Sequence, residues 1–258
     1  MQANQVTIKS AKEIELMRDS GRLLARVFAM LDDFIKPGIT TMAINDEVDR
    51  FITQELNARP ASKGQYDYPY TLNSSVNEVV CHGMPNTTHP LKSSDIVNID
   101  ITLEKNGFIA DSSKMYVMPD ASPAARKLVK TTYEAMMAGI QQVKPGARLG
   151  DIGFAIQSHV EKQGYSVVRD YCGHGIGREM HEEPQVMHYG RKGTGLELKP
   201  GMTFTIEPMI NQGTFKTKTK KDGWTVITKD KKLSAQWEHT ILVTEEGFEI
   251  LTLRDEEK

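Results

Sequence analysis

The strongest constraint on the fold is that this chain carries one pattern twice. Ile35-Lys36-Pro37-Gly38-Ile39 returns as Val143-Lys144-Pro145-Gly146-Ala147, 108 residues later. A helical stripe precedes each Pro-Gly pair and another follows it. The following stripes keep one phase, with Ile44, Val48 and Ile52 matching Ile152, Ile156 and Val160. Further on, Val97-Asn98-Ile99-Asp100 answers Phe204-Thr205-Ile206-Glu207 at an offset of 107. Chance Pro-Gly pairs would not bring a shared helix register with them. The period is far too long for a solenoid. It predicts one α+β unit used twice, each copy running helix, turn, helix, strands, with the two sheets joined.

Local signals fill in that outline. Ser10-Ala11-Lys12-Glu13 fits a capping box opening a helix. Asp120 or Ser122, with Pro123 near the first position, opens the matching helix of the second half, striped by Leu128, Val129, Tyr133, Met136, Met137 and Ile140. Asn57 to Ser75 shows no period and is expected to be an irregular surface segment; Glu78 to His82 is expected to be a strand ending at Gly83. The clearest hairpin runs from Ile96 through an Asn106-Gly107 type I′ turn to Asp111. A final hairpin is expected across Glu245-Glu246-Gly247.

Strand geometry gives the first chemical clue. A two-residue turn pairs Lys105 with Phe108 and Thr102 with Asp111. Period-two alternation then sets Asp100 and Asp111 on one face as diagonal neighbours. The opposite face, Val97, Ile99, Ile101 and Leu103, is apolar. Taken alone, the hairpin fits two solvated aspartates as well as it fits a two-ion site. The repeat adds Glu207 on the equivalent strand and Glu238 at the head of Ile241-Leu242-Val243. Four acids meeting where the halves join need cations. Oxygen-rich ligation with one imidazole suits Mn, Fe, Co or Zn. Only two cysteines, Cys81 and Cys172, are present, which excludes a disulfide framework and a four-cysteine zinc site.

Three histidines stand apart as candidates. His174 lies in Cys172-Gly173-His174-Gly175-Ile176-Gly177, where flanking glycines are expected to leave the imidazole exposed in a tight Gly-rich loop. His181 is followed by Gln185 where an HExxH zinc motif needs its second histidine. His82 closes a strand. Singly, each is more often structural than catalytic. His89, His159, His188 and His239 have no usable spacing and are expected to be solvated or core histidines. No Gly-x-Ser-x-Gly, Walker loop or dinucleotide fingerprint competes. Cys81 and His82 are strand neighbours facing opposite ways, a poor thiol–base pair.

Together the motifs resemble the type I methionine aminopeptidases over nearly the whole chain. The carriers are Ser75-Val76-Asn77-Glu78 through His82-Gly83-Met84-Pro85, Val97-Asn98-Ile99-Asp100, Ala110-Asp111, Gly173 to Gly177, Met180-His181-Glu182-Glu183-Pro184, Ile206-Glu207-Pro208 and Glu238-His239-Thr240. The resemblance implies a pita-bread fold, an α+β architecture with an internally duplicated, pseudo-twofold antiparallel sheet covered by helices. One catalytic domain would span 10–252, its halves about 10–120 and 121–252, between tails 1–9 and 253–258. It further implies that Asp100, Asp111, His174, Glu207 and Glu238 ligate two divalent ions, with Asp111 and Glu238 bridging. Glu207, His181 and His82 would be catalytic, and His82, His181, Tyr68, Met180 and Trp224 would bind substrate. The implied reaction is hydrolytic removal of the initiator methionine from nascent polypeptides whose second residue is small. Two positions depart from the family pattern: Met180 replaces a usual Phe, and Asn73 replaces a cysteine common at the methionine pocket. No type II insertion or eukaryotic zinc-binding extension is seen, so a bacterial-type cytoplasmic enzyme is expected.

Two alternatives share the architecture. A prolidase or X-Pro aminopeptidase uses the same ligands but usually carries a large N-terminal domain. A non-catalytic relative that binds ribosomes or RNA would have lost ligands that are all present here. The run Phe215 to Lys221 reads first as a solvated hairpin edge and second as a transient contact to the ribosome. With a net charge of −2, a protein that mainly coats nucleic acid is not expected. No apolar run approaches ~18 residues and no signal-peptide core opens the chain, so no membrane partner is expected. A monomer is the expected state.

Overall fold

The computed structural model describes residues 5–258. Helix α1 (Ala11–Phe34) starts at the expected capping box, the Ser10 backbone N–H donating to the Glu13 carboxylate at 2.9 Å. Its buried stripe, Met17, Leu24, Val27, Phe28 and Leu31, follows helical spacing. Helix α2 (Thr41–Arg50) is capped by Thr40 Oγ1, which accepts from the Ala43 N–H at 3.2 Å, and runs on into a π-helical turn at Phe51–Glu55. Of the two expected caps for α3 (Pro123–Ile140), Ser122 serves, its hydroxyl accepting from the Ala125 N–H at 3.1 Å. Helix α4 (Leu149–Lys162) completes the second pair. Among the described residues no helix is long and apolar enough to cross a membrane.

The duplication extends to single hydrogen bonds. Gly38 and Gly146 take φ values of +93° and +81°, which side chains resist, so each Pro-Gly turn needs its glycine. Gly38 N–H donates to Leu91 O at 2.7 Å, and Gly146 N–H donates to Leu198 O at 3.0 Å. Bridges Thr40–Pro90 and Arg148–Glu197 repeat the same relation.

The first half holds β1 (Arg59–Pro60), β2 (Leu72–Val76), β3 (Val79–Cys81), β4 (Ile96–Lys105) and β5 (Phe108–Val117). The second holds β6 (Ser166–Val167), β7 (Gly173–Gly175), β8 (Glu182–Val186), β9 (Thr203–Ile206), β10 (Met209–Asn211), β11 (Thr217–Thr219), β12 (Val226–Thr228), β13 (Ser234–Gln236), β14 (His239–Val243) and β15 (Phe248–Ile250). All pairings are antiparallel. β4 pairs with β1 and β2 on one side and β5 on the other, while β15-β14-β9-β7-β8 form a five-stranded sheet. The β4–β5 register is the expected one, Thr102 opposite Asp111 and Lys105 opposite Phe108, around a turn with Asn106 at φ +53° and Gly107 at +81°.

Each half has its own core. Val97, Ile99, Ile101 and Leu103 pack with the stripes of α1 and α2. Phe204, Ile206, Ile241 and Val243 pack with those of α3 and α4. The halves are joined where Ser113 bridges Glu238. Ser112 Oγ donates to Glu238 O and Thr240 Oγ1 to Asp111 O, both at 2.7 Å.

Two expectations need correction. The 57–75 segment is not wholly irregular, because Leu72 to Val76 pair with β4 from Ile101 to Val97. Asn73 and Ser75 face the polar interior beside Asp100 and Asn98, so the strand lacks the apolar alternation that would reveal it. The Gly-rich segment is no loop but strand β7, inside the five-stranded sheet. Its glycines permit close packing rather than a turn: a Cβ at Gly173 would lie 2.3 Å from Thr205 O, and one at Gly175 2.1 Å from Glu183 O. Near the ends, Lys9 is 5% exposed with its ammonium 2.5 Å from Glu182. Arg254 is 1% exposed, beside a short 3-10 turn at Asp255–Glu257.

Candidate metal centre and substrate cleft

A cleft of about 490 Å³ opens between the two halves. It is lined by Asp100, Asp111, His174, Glu207, Glu238, His82, His181, Tyr68, Met180, Trp224 and Asn73, so all the sequence-derived site residues converge there. Asp100 comes from β4 and Asp111 from β5. Glu207 directly follows β9 and Glu238 directly precedes β14. The register of those strands, Ile206 opposite His239, carries the two glutamates on as a facing pair. The aspartates are diagonal, so the two halves present their acids in different registers.

His174 reaches the acids from β7. Its Nε2 lies 3.4 Å from a Glu207 oxygen and 3.8 Å from Asp111. Its Nδ1 stands 3.0 Å from the Gly175 carbonyl, which can only accept, so the ring proton sits on Nδ1 and the Nε2 lone pair faces the carboxylates. The imidazole is 12% exposed rather than open to solvent, since the sheet closes over the flanking glycines. Ligating atoms of Asp111, His174 and Glu238 lie within 4.8 Å of one another.

The residues present fit a divalent cation. Burial raises the pKa of Asp100, Asp111, Glu207 and Glu238, and mutual repulsion adds to this at Asp111, Glu207 and Glu238. No lysine or arginine lines the cleft among the described residues, so no side-chain cation answers these acids there. Asp111 Oδ1 is buried with no hydrogen-bond partner. Four carboxylates and one neutral imidazole are the donor set of a hard or borderline divalent ion. The imidazole is held neutral by burial, which pushes its pKa down to about 3.

Beside the acids is an aromatic wall. Tyr68 and Trp224 meet edge to face at 4.9 Å, and His82 lies 6.5 Å from Trp224 and 5.4 Å from Tyr171. Asp222 Oδ1 accepts from the Trp224 and Thr225 N–H groups, fixing the turn that carries the indole. Burial pushes the His82 pKa down to about 4. Met180 is buried next to His181, which is exposed at the mouth with its ring 4.3 Å from that of His174. Asn73 is directed to the acids: its Nδ2 is 3.5 Å from an Asp100 oxygen.

Sequence reasoning missed the groups that hold Glu207. Thr205 Oγ1 donates to Oε1 at 2.8 Å, Gln236 Nε2 approaches Oε2 at 3.4 Å, and His188 Nε2 accepts the Glu207 N–H at 3.1 Å. Thr205 and Gln236 lie two residues before Glu207 and Glu238, so strand alternation alone was a sufficient signal for both. His188 is a core histidine, as expected, but nothing local ties it to Glu207. Tyr66 was also missed; its hydroxyl lies 3.2 Å from His181 Nδ1.

The model of metallopeptidase family M24 matches residues 15–245. The methionine aminopeptidase of Salmonella typhimurium is 51% identical over 98% of this chain and 96% of its own length. The crystal structure of methionine aminopeptidase from Rickettsia prowazekii superposes with a TM-score of 0.94 at 52% identity, over 96% of this chain and 100% of that one. The prolidase of Pyrococcus furiosus, at 22% identity and a TM-score of 0.75 over 66% of its chain, shares the fold. The expected pita-bread architecture is therefore the observed one.

Proposed function

Because the chain belongs to metallopeptidase family M24, we propose that it is a metal-dependent aminopeptidase that hydrolyses the bond after an N-terminal methionine. The observation that carries this reading is the meeting of Asp100, Asp111, His174, Glu207 and Glu238, from both halves, in a cleft lined by no lysine or arginine. Relatives of known name at 51–52% identity over nearly the whole chain support the methionine specificity.

In our reading those five residues hold two divalent ions, within one domain spanning 10–252. Divalent ions held there would supply Lewis-acid polarisation of the scissile carbonyl and a more acidic attacking water. Glu207 takes the water proton on Oε2, the oxygen held least tightly, and returns it to the leaving amine. Thr205, Gln236 and His188 keep the carboxylate aimed during both transfers. His181 donates from Nε2 to the carbonyl oxygen as negative charge builds there. Tyr68, His82, Met180 and Trp224 form the wall that takes the methionine side chain. A small second residue, nascent chains as substrates and a monomeric cytoplasmic enzyme belong to the same proposal. So does transient ribosome contact through Lys216, Lys218, Lys220 and Lys221, on and beside the β11–β12 hairpin next to Trp224.

The test is hydrolysis of Met-Ala-Ser beside Leu-Ala-Ser and a Met-Pro peptide by metal-reconstituted protein, with two variants. Wild type should prefer Met-Ala-Ser. His181→Ala should keep its affinity for Mn²⁺ by calorimetry while kcat falls by ~10²–10³. His174→Ala should lose affinity for at least one ion. Equal rates on all three peptides would overturn the methionine reading. Metal loss in His181→Ala but not His174→Ala would reverse the two histidine roles.

A further inference from the structure

We propose that Tyr66 is a positioning residue for His181, holding the imidazole in the orientation and tautomer that presents Nε2–H to the cleft. The inference rests on the role given to His181 above. His181 is exposed at the end of a loop, and an exposed imidazole on a loop is free to turn unless something holds it. Its hydrogen-bond partner among the described residues is the Tyr66 hydroxyl, 3.2 Å from Nδ1. The phenol ring also lies along the imidazole, centroids 5.8 Å apart and planes inclined by 22°. On the other side the His174 ring meets His181 edge to face at 4.3 Å. His181 is thus held between a neighbour in the acid cluster and an aromatic on the opposite rim.

A neutral imidazole carries its hydrogen on one nitrogen and accepts on the other. With the phenol O–H donating to Nδ1, the hydrogen belongs on Nε2, the nitrogen available to a substrate carbonyl. The backbone around Tyr66 is built for this reach. Tyr66 has φ +50° and ψ +35°, and Asp67 follows at φ +64°, two consecutive left-handed residues without glycine's freedom. Such conformations persist where surrounding contacts enforce them, and they concentrate at functional sites. Here Gly64 N–H donates to Tyr68 O at 2.7 Å and Tyr68 N–H to Gln65 O at 2.9 Å, closing the base of the turn. Tyr68 anchors that base in the aromatic wall, while Tyr66 is 65% exposed and makes its ring contact with His181. A large aromatic held in a disfavoured conformation for so little burial is explained by the group it touches.

The test uses Tyr66→Phe, which keeps the ring and removes the donor, and Tyr66→Ala, which removes both. ¹⁵N NMR of the Zn²⁺-loaded, histidine-labelled protein reads the His181 tautomer directly. Wild type should show Nε2–H, and Tyr66→Phe should raise the Nδ1–H population. With Met-Ala-Ser, kcat of Tyr66→Phe should fall about three- to tenfold, the worth of one hydrogen bond, with KM changed less than about twofold. Tyr66→Ala should fall further, and Mn²⁺ affinity by calorimetry should stay at the wild-type value in both. Nδ1–H in the wild type, or an unchanged tautomer or kcat in Tyr66→Phe, overturns the proposal. His181→Ala locates the failure. If it is slow while Tyr66→Phe is not, Tyr66 is misassigned; if it too turns over normally, the role given to His181 is at fault.

Discussion

Removing the metal should make the stability of the fold fall as pH rises. Chelation leaves Asp100, Asp111, Glu207 and Glu238 buried together, with no lysine or arginine lining their cleft. Burial first, and repulsion among them second, raises the Asp111 and Glu238 pKa values well above normal and pushes Glu207 up to about 8. A carboxylate whose folded pKa exceeds its unfolded one binds more protons folded than unfolded. Its stabilising contribution is present in acid and is lost as pH climbs toward the folded value. Between pH 7 and 8 the unfolded carboxylates are fully ionised, while Glu207 in the apo fold still carries about 0.7 of a proton on average, and the raised Asp111 and Glu238 act in the same direction. A full proton is worth ~1.36 kcal/mol per pH unit, so Glu207 alone should cost the apo protein roughly 1 kcal/mol over this unit. For a chain of this length that lowers Tm by roughly 2–4 °C. The depressed histidines offset part of this: about a quarter of each unfolded imidazole is protonated at pH 7 and almost none at pH 8, while His82, at about 4, and His174 and His188, at about 3, stay neutral in the fold, a gain of roughly 0.4 kcal/mol for the three; His181 and His239, also lowered by burial, act in the same direction. Calorimetric melts of EDTA-treated and Mn²⁺-saturated protein at three pH values across the window decide the matter. The loaded protein should show a much shallower slope, because bound cations restore the ionised forms. An apo Tm that is flat or rises with pH, or equal slopes in both samples, would refute the charge argument.

Trp224→Ala should raise KM for methionyl peptides by about two- to twelvefold from the lost sulfur–aromatic contact alone, with a smaller change in kcat; steady-state kinetics over several methionyl substrates checks it. Gly175→Ala should destabilise by more than about 1–3 kcal/mol in urea titrations and weaken Mn²⁺ binding, because its Cβ would sit 2.1 Å from Glu183 O and push His174 away from the acids. Arg254→Met should cost about 3–5 kcal/mol by the same titration. The guanidinium is buried, bonding Ser112 Oγ at 3.1 Å, His239 Nε2 at 3.2 Å and Glu257 at 2.8 Å, so its removal strips the Glu257 carboxylate of its permanent cation, leaving it the residue-254 N–H at 3.1 Å and the His239 ring at 3.3 Å.

The parts of the molecule legible in the sequence are those determined by neighbours along the chain. Asn106-Gly107 sets one hairpin register, and from it the shared face of Asp100 and Asp111 followed residue by residue. The capping box at Ser10 and the paired Pro-Gly turns are equally local. What stayed hidden depends on partners distant in sequence. β2 shows no apolar alternation because its second face lines a polar interior. β7 looks like a loop because its glycines are demanded by strands on either side, β9 and β8, rather than by its own backbone angles. Tyr66 and His181 lie 115 residues apart, and His188 and Glu207 19 apart, following strands β8 and β9 with β7 between them, so no spacing rule could pair them. The acids were found because the duplication related the halves; Thr205 and Gln236, two residues before Glu207 and Glu238, were within reach of strand alternation and were passed over.

The seam between β5 and β14 also sets an order of events during synthesis. On the side away from β4, Asp111 N–H, Ser113 N–H and the Asp111 and Ser113 carbonyls are satisfied by Glu238 and Thr240, 126 to 129 residues later for the side-chain bonds. At roughly 5–20 residues per second, a ribosome takes about 6–25 s to supply them. Until then the first half presents an unpaired strand edge at Asp111, with Asp100 one strand in and three of the five metal-site residues not yet made. Such an edge can pair with another chain, and the charges at and beside it, solvated and mutually repelling while the cleft is open, oppose that pairing. The carboxylates that need a cation once enclosed therefore guard the edge of the nascent half before enclosure.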